Sequence, residues 1–382
     1  MPYAWGSRDG LAALQGRPPA SEPEAELWMG AHPHAASVLD DCEIAERLDH
    51  LVDADPLGVL GAEVRARWGG RLPFMLKVLS AAEPLSLQVH PDAARAAAGF
   101  AAEEAAGIDR SASPRTFRDP NAKPELLVAV SDFDALIGFR APDDIAASLA
   151  ELEIDSLQGT IERLRAGSAP GEEFLRLLRW PAESARDLVA RVEAAASRST
   201  STVAEWLPRL ARSYPADPAV AGVLFLNHVR LSPAQGVFVA PGQIHAYLRG
   251  IGVEALASSD NVVRAGLTVK HVAVEQLESV LHLNAARPPV VEPVRSGGAV
   301  EAWPVPASEF ELLRVRLDGT RAELPVAGPA IILCLTGAAE FAGNDRSLSL
   351  RQGESAFIAA NCSALSVVGT GVLICARPGP AA

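Results

Sequence analysis

The stretch Leu85-Ser86-Leu87-Gln88-Val89-His90-Pro91-Asp92 constrains this chain more than any other. Its residues alternate with a period of two, so the spacing predicts a strand over Leu85–His90. Leu85, Leu87 and Val89 fall on one face, and Ser86, Gln88 and His90 on the other. A strand with hydroxyl, amide and imidazole in a row on one face does not belong in a purely apolar core. Gln88 and His90 stand about 7 Å apart at Cα, near enough to reach one metal ion. Pro91 removes a ladder donor and ends the strand. A single histidine is more often a hydrogen-bonded residue than a ligand, so the metal reading depends on partners elsewhere.

Partners of the right chemistry follow in order. Leu72–Leu79 reads as a strand with Lys77 inside an apolar run. That lysine either snorkels to water or faces a shared cavity, where desolvation would lower its pKa. Asp92–Gly107 is alanine-rich and helical in propensity. In Lys123-Pro124-Glu125-Leu126-Leu127-Val128, alternation puts Lys123 and Glu125 on one face of a strand. Glutamate is disfavoured in a strand unless paired with a cation or a metal. Downstream, Pro241-Gly242-Gln243-Ile244-His245 reverses the chain into a strand from which His245 points away from Ile244, Ala246 and Leu248. Glu254 follows, then Ser258-Ser259-Asp260-Asn261 and Val262–His271. There Arg264 offers a planar fork and Lys270 a point charge to a phosphate, or each forms a surface ion pair. His32 and His34 alternate like ligands, but Pro33 between them and the alanine-rich surroundings argue for a loop.

The pattern between Pro142 and Tyr214 is helical, with Thr202–Glu205 in capping-box form ahead of Trp206. It reads as an inserted scaffold. Asp41–Arg65 is also helical in spacing, through Ile44, Leu48 and Leu51. Strand character is expected again over Ala219–Leu231, a linker at Pro288, Pro289 and Pro293, and short strands from Val294 to Pro378. There Ala330–Leu335, Ala338–Phe341 and Gly353–Asn361 stand out. With Phe357 laid over Phe238, Ala364 falls where His245 falls, so this second unit is expected to lack a histidine-based site.

Composition sets the limits. The 382 residues are 49% hydrophobic, enough for two or three domains with sizeable cores. A net charge of −13 argues against nucleic-acid or anionic-membrane partners, so a phosphorylated ligand would need a local basic pocket. The opening residues lack a signal-peptide pattern, and no apolar run reaches transmembrane length. Cys42, Cys334, Cys362 and Cys375 form no CxxC pair and read as reduced thiols, so a cytoplasmic location is expected.

Taken together, Leu85–Asp92, Lys123-Pro124-Glu125, Pro241–Tyr247 and Ser259–Thr268 resemble type I mannose-6-phosphate isomerase, a family of the cupin superfamily. The opening Tyr3-Ala4-Trp5-Gly6 and Glu26-Leu27-Trp28-Met29-Gly30 fit as well. The resemblance covers most of the chain in order and spacing and is weakest after Val294. It implies a mainly β fold with an α-helical insertion, built as two cupin-like β-barrels (jelly rolls) plus a helical domain. The implied division is a catalytic cupin domain of residues 1–139 and 218–290, a helical insertion of 140–217, and a cupin-like domain of 291–382 without metal ligands. It implies one Zn2+ per chain on Gln88, His90, Glu125 and His245, other divalent metals remaining open. Substrate binding would fall to Arg264, Lys270 and Ser86, and catalysis to Arg264, Lys123, Lys77 and Glu254. The implied reaction interconverts mannose 6-phosphate and fructose 6-phosphate through an enediol(ate), in a monomer or weak homo-oligomer. Three departures stand out: Ala122 before Lys123 where the family usually has histidine, Val269 before Lys270 where it has proline, and Pro33-His34-Ala35-Ala36-Ser37 for Pro-Asn-Ala-Pro-Ser. The alternatives are another metal-dependent cupin enzyme, whether a different sugar-phosphate isomerase or an oxygenase, and a non-catalytic phosphosugar-binding protein.

Overall fold

The computed structural model describes residues 1–40, 47–112, 115–324, 326, 328–343, 346–362 and 365–380. Cys42, Ile44 and Ala364, named above, lie outside the described residues. Ten strands form one antiparallel sheet: β1 (Glu26–Met29), β2 (Phe74–Ala81), β3 (Leu87–Val89), β4 (Glu125–Ala129), β5 (Phe133–Phe139), β6 (Leu226–Leu231), β7 (Gly236–Val239), β8 (His245–Ala257), β9 (Val263–Gly266) and β10 (Val290–Val291). Eight more form a second: β11 (Val294–Gly297), β12 (Val300–Ala302), β13 (Glu311–Asp318), β14 (Ala322–Glu323), β15 (Ala330–Gly343), β16 (Arg346–Arg351), β17 (Ser355–Ile358) and β18 (Ser366–Arg377).

The long strand β8 organises the first sheet. Its opening residues pair with β3 and β5, and Gly250–Ala257 pair with β2 and β4. The chain bends between the two at Gly250, whose φ of +132° suits glycine. A Cβ at Gly250 would lie 2.5 Å from the Phe133 ring and 2.7 Å from the Asp132 carbonyl oxygen. The result is two wings joined by one strand. Leu79, Leu127, Val237 and Val239 of one wing pack against Ala135, Ile137, Val229 and Tyr247 of the other.

Strand alternation explains what covers the outer faces. Leu76 and Val78 of β2, Leu126 and Val128 of β4, and Val253 and Ala255 of β8 share a core with Trp303, Leu312, Ile331, Leu333, Ile374 and Ala376 of the second unit. The residues between them, Lys77, Leu127 and Glu254, therefore face inward. Outside the other wing, Leu87, Val89, Ala246, Leu248, Val263 and Ala265 pack on helical residues including Leu149, Leu188, Leu207 and Phe225. Helices and second sheet thus clamp the site-bearing strands from opposite sides. Ile374→Ala empties part of the shared core and should cost about 2–5 kcal/mol. The check is the urea midpoint; a wild-type midpoint would mean that the second unit does not support the first.

Local rules account for many boundaries. Pro142 opens the helix Pro142–Glu151, with Asp143 and Asp144 in its first turn. Asp92 caps Ala93–Ala105 by accepting from the Arg95 backbone N–H at 2.8 Å. Several expectations need correction. The strand expected over Leu72–Leu79 runs Phe74–Ala81, and that over Leu85–His90 is only Leu87–Val89. Ala219–Phe225 is helical, and β6 begins at Leu226. An apolar run buried all round carries no period to separate helix from strand. Thr202–Glu205 is not a capping box. Thr202 Oγ1 instead lies 3.0 Å from His228 Nδ1, and Glu205 pairs with Arg230. The proline-rich segment at 288–293 contains β10, which pairs with β7. Ala330–Leu335 and Ala338–Phe341 belong to the single strand β15. Among the described residues no helix is long and apolar enough to cross a membrane.

Candidate metal centre

Register brings the candidate ligands together. Gln88 on β3 is opposite His245 on β8 and Arg264 on β9. Glu125 opens β4, opposite Leu256 and Val239. His90 lies just past β3, where its carbonyl accepts from Gly242 N–H at 2.7 Å. That bond ties the end of β3 to the Pro-Gly turn preceding His245.

His90 Nδ1 is 2.7 Å from the Asn261 carbonyl oxygen, and His245 Nδ1 is 3.1 Å from that of Gln243. A carbonyl only accepts, so this network assigns the proton of each ring to Nδ1. Both Nε2 atoms are then bare acceptors. They are fully buried and have no hydrogen-bond partner among the described residues. They face the Glu125 carboxylate, His90 Nε2 at 3.2 Å from Oε1 and His245 Nε2 at 3.5 Å from Oε2. Lone pairs aimed at carboxylate oxygens repel unless a cation lies among them. Zinc bonds of about 2.0–2.1 Å put tetrahedral ligand atoms roughly 3.3–3.4 Å apart, so the separations suit a small divalent cation. Carbonyl-oriented imidazoles are the usual outer support of such an ion.

Charge agrees with this. Burial pushes His90 down to about 4, leaving a neutral imidazole at pH 7. Burial alone would raise Glu125, yet its carboxyl is held well below the usual range. Of the groups that lower it, His90 first and then Lys123, Lys123 is the one that stays charged at pH 7, with Nζ 3.1 Å from Oε1. Burial would lower Lys123, but Glu125, Glu254 and Glu26 raise it, so it stays an ammonium.

The centre opens into a cavity of about 730 Å³ lined by Lys77, Ser86, Gln88, Lys123, Glu125, Glu254, Arg264 and Lys270. His90 and His245 are buried behind it. Lys77 Nζ lies 4.0 Å over the Trp28 ring and 3.9 Å from Glu26 Oε1. Glu26 in turn accepts from the Trp28 indole at 2.8 Å. Glu254 accepts from the Tyr247 hydroxyl at 2.8 Å. Burial and the adjacent Glu125 push its carboxyl up to about 8 against the pull of Lys77 and Lys123. Arg264 is half-buried and makes no ion pair among the described residues, which leaves a guanidinium open to an anion.

The family model "Phosphomannose isomerase type I, catalytic domain" matches residues 1–142, and "Mannose-6-phosphate isomerase, cupin domain" matches 302–378. The mannose-6-phosphate isomerase of Escherichia coli (strain K12) is 36% identical over 378 residues, spanning 97% of this chain and 96% of that protein. The chain belongs to the type I phosphomannose isomerase family. Mannose-6-phosphate isomerase 1 of Arabidopsis thaliana is 30% identical, over 89% of this chain and 81% of its own length. Among solved structures, a zinc-bound mannose 6-phosphate isomerase superposes with a TM-score of 0.91 at 34% identity, covering 100% of this chain and 97% of its own. The Salmonella typhimurium enzyme bound to f6p and zinc gives 0.92, again at 34% identity and the same coverage.

Other residues of this phosphomannose isomerase site had no role in the sequence reading. Trp28, Tyr247 and Asp260 line the cavity, as do Leu210, Ser213 and Tyr214 of the helical region. That region is therefore part of the wall as well as a scaffold. His32 and His34 join a hydrogen-bonded clasp. His34 N–H points at His32 Nδ1 (3.4 Å), while His32 Nε2 and His34 Nδ1 lie 3.2 and 3.4 Å from the two Asp260 oxygens.

Proposed function

We propose that this chain interconverts mannose 6-phosphate and fructose 6-phosphate at the buried His90–Glu125–His245 cluster. The observation that carries the reading is the pair of bare, buried Nε2 atoms around one carboxylate, opening on a cavity with an unpaired arginine. His90, Glu125, His245 and Gln88 would hold one Zn2+. When bound, that ion supplies a Lewis acid that stabilises negative charge on the sugar oxygens.

The remaining roles belong to side chains. Arg264, with Lys270 and Ser86, holds the phosphate and so places C1 and C2. Toward fructose 6-phosphate the reaction moves one proton from C2 to C1 and one hydroxyl proton from O2 to O1, with no net change in composition. Glu254 takes and returns the carbon proton, since a carboxyl titrating near neutrality suits both directions. Lys123, kept as an ammonium, donates to a sugar oxygen as charge develops, and Lys77 supplies a second cation held by Trp28 and Glu26. We also read the two β units as cupin jelly rolls, residues 1–139 with 218–290 and residues 291–382, the helical span 140–217 being inserted in the first. The two wings bridged by β8 support that division.

The test follows fructose 6-phosphate formation by purified protein before chelation, after it, and after zinc is restored. Activity is expected to fall to background with chelation and return with zinc. A folded, zinc-loaded protein without turnover would sink the isomerase reading and leave a phosphosugar-binding scaffold.

A further inference from the structure

The cavity wall formed by Thr268, Val269 and Lys270 belongs to no strand or helix. Strand β9 ends at Gly266, and the chain then passes through two residues of positive φ, Gly266 at +125° and Leu267 at +52°. Glycine takes such a conformation freely, whereas a leucine must be held there. The passage is also tight. A Cβ on Gly266 would lie 2.2 Å from Ala219 Cβ and 3.4 Å from an Asp217 carboxylate oxygen.

Asp217 holds the turn. Its Oδ2 accepts from Leu267 N–H at 2.6 Å, and the nearby Thr268 N–H also favours the ionised carboxylate. Its Oδ1 accepts from Ala219 N–H at 2.9 Å. No cation pairs with this carboxylate among the described residues, and its recorded hydrogen-bond donors are backbone amides. Burial pushes the acid upward while those amides oppose it. Asp217 does not line the cavity, and its charge has the wrong sign to contact a phosphate. An ionised acceptor makes stronger bonds to N–H groups than an amide does, which suits a device that must hold a leucine in a left-handed turn.

We infer that Asp217 is a positioning residue for the phosphate end of the substrate, fixing the backbone at Leu267 so that Thr268 and Lys270 line the cavity together with Ser86 and Arg264. The inference rests on the phosphate-binding role of Arg264 proposed above. It also gives the helical region a task in the reaction, because Asp217 lies between the helices Leu207–Ser213 and Ala219–Gly222.

The experiment compares wild-type and Asp217→Asn holoenzyme, with inorganic phosphate as competitive probe. In the variant, a carboxamide nitrogen meets a backbone N–H where an oxygen did. KM for mannose 6-phosphate is expected to rise about tenfold and the inhibition constant of phosphate to rise with it, the loss of one charge-assisted bond, while kcat stays within about twofold. Zinc content should match wild type. A variant with a lower melting temperature but unchanged KM and phosphate inhibition would overturn the inference, since that is the mark of a structural role alone. Should the variant not fold, hydrogen exchange on the wild-type holoenzyme decides: protected Leu267 and Thr268 amides support the hold, and unprotected ones overturn it. Arg264→Gln separates the two layers. Phosphate that fails to compete with substrate on wild-type enzyme removes the phosphate reading and this inference with it. Competition weakened by Arg264→Gln and untouched by Asp217→Asn overturns the inference alone.

Discussion

Glu125→Gln is expected to strip the metal from this enzyme while leaving a folded protein. Glu125 is where the centre converges: two bare imidazole nitrogens, of His90 and His245, and the Lys123 ammonium all lie within 3.5 Å of its oxygens. The substitution removes the one anion among these ligands. A carboxamide can donate to a bare imidazole nitrogen, so the metal-free cluster becomes better satisfied and the metal-bound one worse. Lys123 meanwhile loses its 3.1 Å partner inside the protein. Removing one member of a buried charged set costs about 3–5 kcal/mol, which corresponds to roughly 10²–10⁴ in metal affinity. Turnover at limiting zinc should fall by the same factor or more. Metal analysis after dialysis, with turnover at limiting and saturating zinc, is the check; wild-type zinc retention would show that the ligands lie elsewhere. Protons do not confuse the result near pH 7. His90, pushed to about 4 by burial, is already neutral there, so metal loss through its protonation sets in only as pH falls toward that value.

Much of this centre could be read from the sequence because Gln88, Glu125 and His245, three of its candidate ligands, lie on strands, where a period of two announces which side chains share a face. Gln88 and Glu125 are readable in that way, and so is the inward set of His245. What sequence cannot supply is the partner across the sheet. Nothing in the spacing says that Gln88 sits opposite both His245 and Arg264, yet that register builds the site. The bend of β8 at Gly250 is equally silent, because one long apolar run reads the same whether it serves one wing or two. Residues acting through backbone contacts were invisible for a different reason. Asp217 lies in a Tyr-Pro-Ala-Asp-Pro segment that reads as a turn, and its partner Leu267 is fifty residues away. The capping-box pattern at Thr202 misled because tertiary partners, His228 and Arg230, compete for the same side chains. The role of the second β unit became readable only once Ile331, Leu333 and Ile374 were found in one core with the residues flanking Lys77, Glu125 and Glu254.

Glu254→Gln should make the metal-free protein more stable and the enzyme nearly inactive. An unfolded glutamate titrates near 4.3, whereas Glu254 is pushed up to about 8, first by burial and then by Glu125. Between those values the folded chain holds a proton that the unfolded chain has lost. The stability contributed by this group is therefore full below the unfolded value, declines as pH rises through the interval, and levels off above about 8. Glutamine does not titrate, so the advantage of the variant is absent near pH 4 and complete near pH 8. The interval sets an upper bound of roughly 5 kcal/mol on the gain, the attraction of Lys77 and Lys123 being already contained in the value near 8. Melting temperatures of chelated wild-type and variant protein at pH 5 and pH 8 measure this directly. Turnover of the zinc-loaded variant should fall about 10²–10⁴-fold, the usual worth of a positioned acid–base group. Glu173 supplies the contrast within the same chain. It is equally buried, but Arg163 and Arg176 pair with it and it does not line the cavity, so neutralising it should destabilise and spare turnover. A Glu254 variant that loses stability at pH 8, or that keeps its turnover, would put Glu254 with Glu173 as a structural acid. The opposite signs expected of the two substitutions are what a functional carboxyl predicts, because a group held short of its preferred ionisation is strained by the fold and used by the reaction.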